Sequence, residues 1–98
     1  MNQKAAIDVI IPAFNEEHSI GKVVKAIPSE WVREIIVCNN NSTDNTAQVA
    51  QAAGATVVDA KQKGYGSACL KGMAYISQKK KLPEIIVFLD GDFSDHPE

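Results

Sequence analysis

Four short, unbroken apolar runs constrain this chain more than any other feature, because each is followed by a polar or glycine-rich segment. The runs are Asp8 to Pro12 (Val9, Ile10, Ile11), Glu34 to Cys38 (Ile35, Ile36, Val37), Ala55 to Asp59 (Val57, Val58) and Glu84 to Leu89 (Ile85, Ile86, Val87, Phe88, Leu89). Apolar runs without alternation fit strands covered on both faces, as in a parallel sheet. Helical segments separate them. Glu16 to Ile27 sets Ile20, Val23, Val24 and Ile27 at spacings of three and four, and Pro28 stops it. A second helix is predicted over Asp44 to Ala53, capped by Ser42 or Thr43 and ended by Gly54. A third is predicted over Ser67 to Lys80. The fold class that follows is α/β, a Rossmann-like parallel sheet of alternating strands and helices.

Ninety-eight residues suit one domain, here taken as 1–98. Ten basic and 12 acidic residues give a net charge of −2, which argues against a dedicated nucleic-acid binder with its basic stripe. The basic run Lys79-Lys80-Lys81 reads as the solvated end of the third helix. Cys38 and Cys69 lack the short spacing of a zinc or redox motif and read as small buried hydrophobes in a reducing compartment. Met1 to Ala6 is polar and short, unlike a signal peptide, and the longest apolar runs are far below a membrane span. The expected location is the cytoplasm, with the inner face of the membrane as the place for any peripheral contact of a longer protein.

In such a sheet, ligands bind outside the carboxyl ends of the strands. Asp90-Gly91-Asp92 follows the fourth strand. Its two carboxylates can converge on a hard cation, Mg²⁺ or Mn²⁺, with Ser94, Asp95 and His96 as further donors; a capped turn is the plain alternative. Asn39-Asn40-Asn41-Ser42-Thr43-Asp44 suits a tight turn that tolerates left-handed dihedrals, or an amide that reads a nucleobase edge. Lys63-Gly64-Tyr65-Gly66-Ser67-Ala68 opens a helix and can offer backbone N–H groups to phosphate, or be a turn with close packing at Gly72. After the first strand, Asn15 can cap a helix, with Glu16 and Glu17 complementing its dipole, or Phe14 and Glu16 can face a ligand. His18 reads as an exposed first-turn residue.

Taken in order and spacing, these segments resemble the family 2 inverting glycosyltransferases of the GT-A fold, from Ile7 to Glu98. Val9 to Glu17 is similar to the family's opening strand and loop, Glu34 to Asp44 to its Asp-Asp-Gly-Ser-Thr-Asp signature, and Asp90-Gly91-Asp92 to its DXD motif. Lys63-Gly64-Tyr65-Gly66, Gly72 and Ser94 to Glu98 look closest to the polyprenyl-phosphate (dolichyl-phosphate-like) branch. The resemblance implies the N-terminal, nucleotide-sugar-binding half of a GT-A domain. It implies that Pro12, Ala13, Phe14 and Glu16 line the nucleoside pocket, that Asn40 contacts the base and that Lys63 faces the nucleotide. It further implies that Asp90 and Gly91 adjoin the ribose and metal, that Asp92 holds the metal on the diphosphate with Asp90, and that Ser94 stands where some members carry another ligand.

The donor implied is a UDP- or GDP-linked sugar, the reaction inverting transfer of a hexose, and the acceptor in that branch a polyprenyl phosphate. Asn39-Asn40-Asn41 departs from Asp-Asp-Gly and leaves the choice of base open. Family members continue well past the DXD motif into the part that supplies acceptor site and base, so the fourth strand is expected to present an apolar edge. Alternatives are a nucleotide-binding chain that catalyses nothing by itself, a nucleotidyltransferase-like domain and a flavodoxin-like domain.

Overall fold

A computed structural model describes residues 6–91. Its elements run β1 (Ile7–Ala13), α1 (Ile20–Ala26), β2 (Glu34–Asn39), α2 (Thr46–Ala52), β3 (Thr56–Asp59), α3 (Tyr65–Ser77) and β4 (Ile85–Phe88). All strand pairs are parallel, in the order β3-β2-β1-β4. This is the alternating α/β sheet expected from the apolar runs. Side chains alternate across the central strand. Val9, Ile11 and Ala13 pack with Ile20, Val23, Val24, Val37 and Ala50 on the face covered by α1 and α2. Ile10 packs with Ile36, Cys38, Ala68 and Ile76 on the face covered by α3. Pro12, which cannot donate to a ladder, lies beyond the last β1 residue paired with β4, Ile10.

Gly72 sets how closely α3 approaches the sheet. A Cβ there would lie 2.9 Å from both Cys38 Sγ and Ile10 Cγ2. Gly54 ends α2 as expected, at φ 109°, with the Ala55 N–H bonded to the Ala50 carbonyl.

Several local expectations are corrected. Asn15 caps no helix: it is left-handed (φ 53°), and α1 begins only at Ile20. Neither Ser42 nor Thr43 caps α2, whose N-cap is Asn45. The third helix starts two residues before Ser67 and ends at Ser77, short of Lys80. Lys79 is not a solvated cation. Its ammonium lies 2.7 Å from the fully buried Asp8 carboxylate and is also paired with Glu34. Parallel register places Asp8 opposite Glu34, so two carboxylates meet at the strand starts. Arg33 donates to both Asp8 oxygens at 3.1 and 2.9 Å, and Tyr75 and Thr56 hydroxyls each donate to Glu34 at 2.7 Å. Burial alone would raise the Asp8 carboxyl, but Arg33 and Lys79 outweigh it and hold it below its ordinary value. Glu34 is balanced the same way, with Lys79, Tyr75 and Thr56 overcoming its burial.

β4 is an edge strand among the described residues, with Ile85 and Phe88 exposed. On the α1 side an apolar cleft lined by Val9, Val23, Ile27, Val87 and Leu89 stays open. No helix among the described residues is long and apolar enough to cross a membrane.

Candidate nucleotide-sugar site

The carboxyl ends of β1, β2 and β4 and the start of α3 enclose a cavity of about 340 Å³. It is lined by Pro12, Ala13, Phe14, Glu16, Asn40, Asp90 and Gly91, together with Tyr65 and Ala68. Seven of the eight residues expected at a nucleotide site therefore meet in one place. The eighth, Lys63, lines a neighbouring cavity of about 550 Å³ with Asn41 and Thr43, and the two cavities share Phe14 and Asn40. The expected metal ligands Asp92 and Ser94 lie outside the described residues.

The loops that shape the cavity are stitched together by their polar side chains. The Asn15 N–H donates to Ser42 Oγ at 2.9 Å, and Asn15 Oδ1 accepts the Thr43 N–H at 2.8 Å. The Glu16 N–H donates to Thr46 Oγ1 at 2.8 Å, and the Glu17 N–H donates to Asp44 Oδ2 at 3.2 Å. Asp44 Oδ1 also accepts from the Thr46 N–H and hydroxyl. Burial opposes ionisation of Asp44, yet these donors hold its carboxyl below the ordinary range. Asn15, Ser42, Thr43 and Asp44 thus fix the β1 and β2 loops against each other and leave Phe14 and Glu16 to face the cavity.

Asn40 has a similar duty toward α3. Its Nδ2 donates to the Ala60 and Gln62 carbonyls, each at 2.8 Å, and its Oδ1 accepts the Gly64 N–H at 3.1 Å. A carboxylate could accept the last bond but would face the two carbonyls with no proton to give. This explains why an amide serves at position 40. It also means that the side chain holds the 60–64 loop. Asn41 takes up the left-handed conformation anticipated for the asparagine run, φ 64°.

Tyr65 and Ala68 are the lining residues that sequence reasoning left unassigned, and Tyr65 alone of the two brings a polar group. Its hydroxyl lies 3.4 Å from Asp90 Oδ1. Partial burial and the adjacent Asp90 charge raise the phenol, which keeps it a donor. Its presence in the Lys63–Ala68 segment was visible, but its place at the cavity follows from α3 starting at Tyr65. His18 is exposed, as expected. Cys38 is a buried free thiol, pushed up to about 11 by burial, while Cys69 is half-buried.

Among the described residues no group of three metal-ligating side chains gathers. The donor chemistry of the cavity nonetheless fits a hard divalent cation. Asp90 and Glu16 both bring carboxylates to it, and among the described residues Asp90 has no cationic partner.

Comparison with known proteins agrees with this geometry. The family model described as glycosyl transferase family 2 matches residues 8–98. A curated relative, 4,4'-diaponeurosporenoate glycosyltransferase of Staphylococcus aureus (strain USA300), is 39% identical over 94 residues, covering 89% of this chain and 24% of its own length. Glucosyl-3-phosphoglycerate synthase from Mycobacterium tuberculosis, solved with Mn²⁺, UDP-glucose and phosphoglyceric acid, superposes with a TM-score of 0.77 at 34% identity over 90% of this chain. Another structure of that synthase gives 0.78 at 33% identity. The chain spans about a quarter of the curated relative and 33% and 35% of the two structures. With its sheet order, its cavity at the strand ends and a family match over nearly its whole length, the chain belongs to glycosyl transferase family 2.

Proposed function

We propose that this chain forms the donor-binding region of an inverting glycosyltransferase, taking a nucleoside-diphosphate sugar together with a divalent cation. The observation that carries this reading is the convergence of Pro12, Phe14, Glu16, Asn40 and Asp90 on one cavity at the carboxyl edge of a parallel sheet. UDP is the favoured donor nucleotide, because the M. tuberculosis synthase, 34% identical, was solved with UDP-glucose and Mn²⁺.

In this reading Phe14 offers an exposed ring against which a planar base can stack, and the 60–64 loop held by Asn40 brings Lys63 to the same lobe. By the family resemblance, Asp90 and Asp92 would hold the cation, with Ser94 as a further donor. A divalent cation bound there supplies Lewis-acid neutralisation of the departing diphosphate. Tyr65 keeps its proton and donates it toward Asp90, which fixes one carboxylate oxygen and leaves the other for the ligand. Attack on the anomeric carbon opposite the leaving group inverts its configuration. The acceptor hydroxyl needs a base from outside these residues; a phosphate acceptor attacks directly. A polyprenyl phosphate is the acceptor suggested by Lys63-Gly64-Tyr65-Gly66. The named relatives act on diaponeurosporenoate or were solved with phosphoglyceric acid, so that acceptor rests on the branch resemblance alone. Work at the cytoplasmic membrane face follows from such an acceptor.

Calorimetric titration with UDP and GDP, each with and without Mn²⁺, tests the proposal. The expected result is Mn²⁺-dependent binding of UDP that Asp92→Ala abolishes. Binding of neither nucleotide, or binding indifferent to both Mn²⁺ and Asp92, would overturn it.

A further inference from the structure

We propose that Asn41 selects the nucleobase, its amide oxygen accepting a ring N–H that uracil and guanine carry and that cytosine and adenine lack; the inference rests on the donor-site reading above. The cavity of about 550 Å³ beside the main one is lined by Phe14, Asn40, Asn41, Thr43 and Lys63. An exposed aromatic ring among polar side chains suits a planar base with a polar edge. The hydrogen bonds those side chains already make decide which of them remain for a ligand. Asn40 is spent. Its Nδ2 gives both protons to the Ala60 and Gln62 carbonyls, and its Oδ1 accepts the Gly64 N–H. Turning that amide toward a base would release all three bonds. The Thr43 hydroxyl is directed to Asn15 Oδ1 at 3.4 Å.

Asn41 is different. Its Nδ2 donates to the Lys61 carbonyl at 2.8 Å, and among the described residues its Oδ1 has no hydrogen-bond partner. That one bond sets which end of the amide is free, because exchanging oxygen and nitrogen would put two oxygens face to face. The backbone at Asn41 is left-handed, φ 64°, a conformation that glycine adopts without steric cost. The asparagine adds a fixed acceptor to it. Lys63 makes no ion pair among the described residues and is a donor only. An acceptor and a donor lining one cavity fit a base edge that sets an N–H beside a C=O. Uracil presents that edge as N3–H beside O4, and guanine as N1–H beside O6. Cytosine and adenine present a bare ring nitrogen beside an amino group, so the Asn41 oxygen would meet a lone pair. Lys63 cannot tell the two classes apart, since every base offers it an acceptor. Discrimination therefore falls to Asn41.

The test is calorimetric titration of the full chain with UDP, CDP, GDP and ADP in the presence of Mn²⁺, with the melting temperature followed alongside. The unsubstituted chain is expected to prefer UDP to CDP, or GDP to ADP, by about tenfold, and the two pairs distinguish a uracil site from a guanine site. Asn41→Gly, which suits the left-handed backbone, is expected to cut that preference to about twofold by weakening the favoured nucleotide. Asn40→Asp is expected to weaken both members of the pair alike and leave their ratio within about twofold, because it loosens the loop and not the reading of the base. No binding of any of the four by the unsubstituted chain overturns the donor-site reading and this inference with it. Binding without preference inside either pair overturns the inference alone. So does a preference that survives Asn41→Gly, or one that Asn40→Asp removes.

Discussion

The two ends of the β-sheet are both lined with charged and polar side chains, yet they are built for different purposes. At the amino end, the Asp8 carboxylate is wholly enclosed, and Arg33, Lys79, Tyr75 and Thr56 neutralise or hydrogen-bond the Asp8–Glu34 pair. At the carboxyl end, hydrogen bonds fix the loops, while Phe14, Tyr65 and Asp90 stay exposed around a cavity. A closed network of charges contributes rigidity and offers nothing to a ligand. An open one, with its backbone fixed and its side chains facing inward, can exchange water for a ligand at small cost in ordering. The difference teaches that clustered charge marks a site only where partners within the protein are incomplete.

Substitutions can break this contrast. The largest effect is expected from Asp8→Ala, which leaves Arg33 and Lys79 without their shared counter-charge. Because the cations left behind are partly exposed and Lys79 keeps Glu34, the cost falls below the full loss for a buried pair, at about 2–4 kcal/mol, read as a shift in the urea midpoint, with UDP affinity of the still-folded chain within about twofold of the original. A loss below about 1 kcal/mol would show the network to be ornamental. Gly72→Ala comes next. The added methyl has no room between Cys38 and Ile10, and overpacking of this kind costs roughly 1–3 kcal/mol, partly offset by better helix propensity. An unchanged or raised melting temperature would mean that α3 can move off the sheet freely.

Acid sharpens the comparison further. Asp8 and Glu34 have carboxyls held below their ordinary values in the folded chain. Their stabilisation is therefore complete above the unfolded-state range, near pH 4, and is lost as pH falls through the lower folded values. Asp44 adds to the same slope. Asp8→Asn should flatten the acid limb of a stability–pH curve without abolishing it. Lys79 is raised, burial opposing and its two carboxylate partners prevailing, so its contribution is present below the ordinary lysine value and is lost as pH rises through the folded one. A curve whose acid limb is the same in Asp8→Asn and the original chain would contradict this account.

The smallest effect on stability, and the most telling for the site, is expected from Asn40→Asp. Replacing two donated bonds by carboxylate–carbonyl contacts in a partly exposed loop should cost about 1 kcal/mol while weakening UDP binding several-fold, because Lys63 sits on the loop that Asn40 holds and Tyr65 opens the helix that follows it. Equal UDP affinity in a melted-out loop would remove Asn40 from the site's architecture.

Much of the fold was legible from the sequence because parallel strands leave an unmistakable trace. Val9-Ile10-Ile11 and Ile35-Ile36-Val37 are apolar on both faces, and Ile10 and Ile11 indeed pack into opposite cores. The cavity was legible for the same reason, since ligand groups can lie only just past those runs. The helix starts were not. Asn15, Ser42, Thr43 and Asp44 all have the chemistry of caps, but their hydrogen bonds mostly run to a loop about 28 residues away, and local propensity carries no record of that. Lys79 was misread because its partners appear only once the register sets Asp8 opposite Glu34. Tyr65 carries no such mark because its contact at the cavity, Asp90, is distant in sequence.

The central claim is that ligand binding belongs to one end of the sheet and structural charge to the other. Amide hydrogen exchange of the chain with and without UDP and Mn²⁺ tests it most directly. The account predicts protection at residues 12–17, 40–44 and 61–68, with the amides around Asp8, Arg33 and Lys79 unchanged. Protection centred on the Asp8–Arg33–Lys79 end, or absent from the cavity loops under saturating nucleotide, would contradict it.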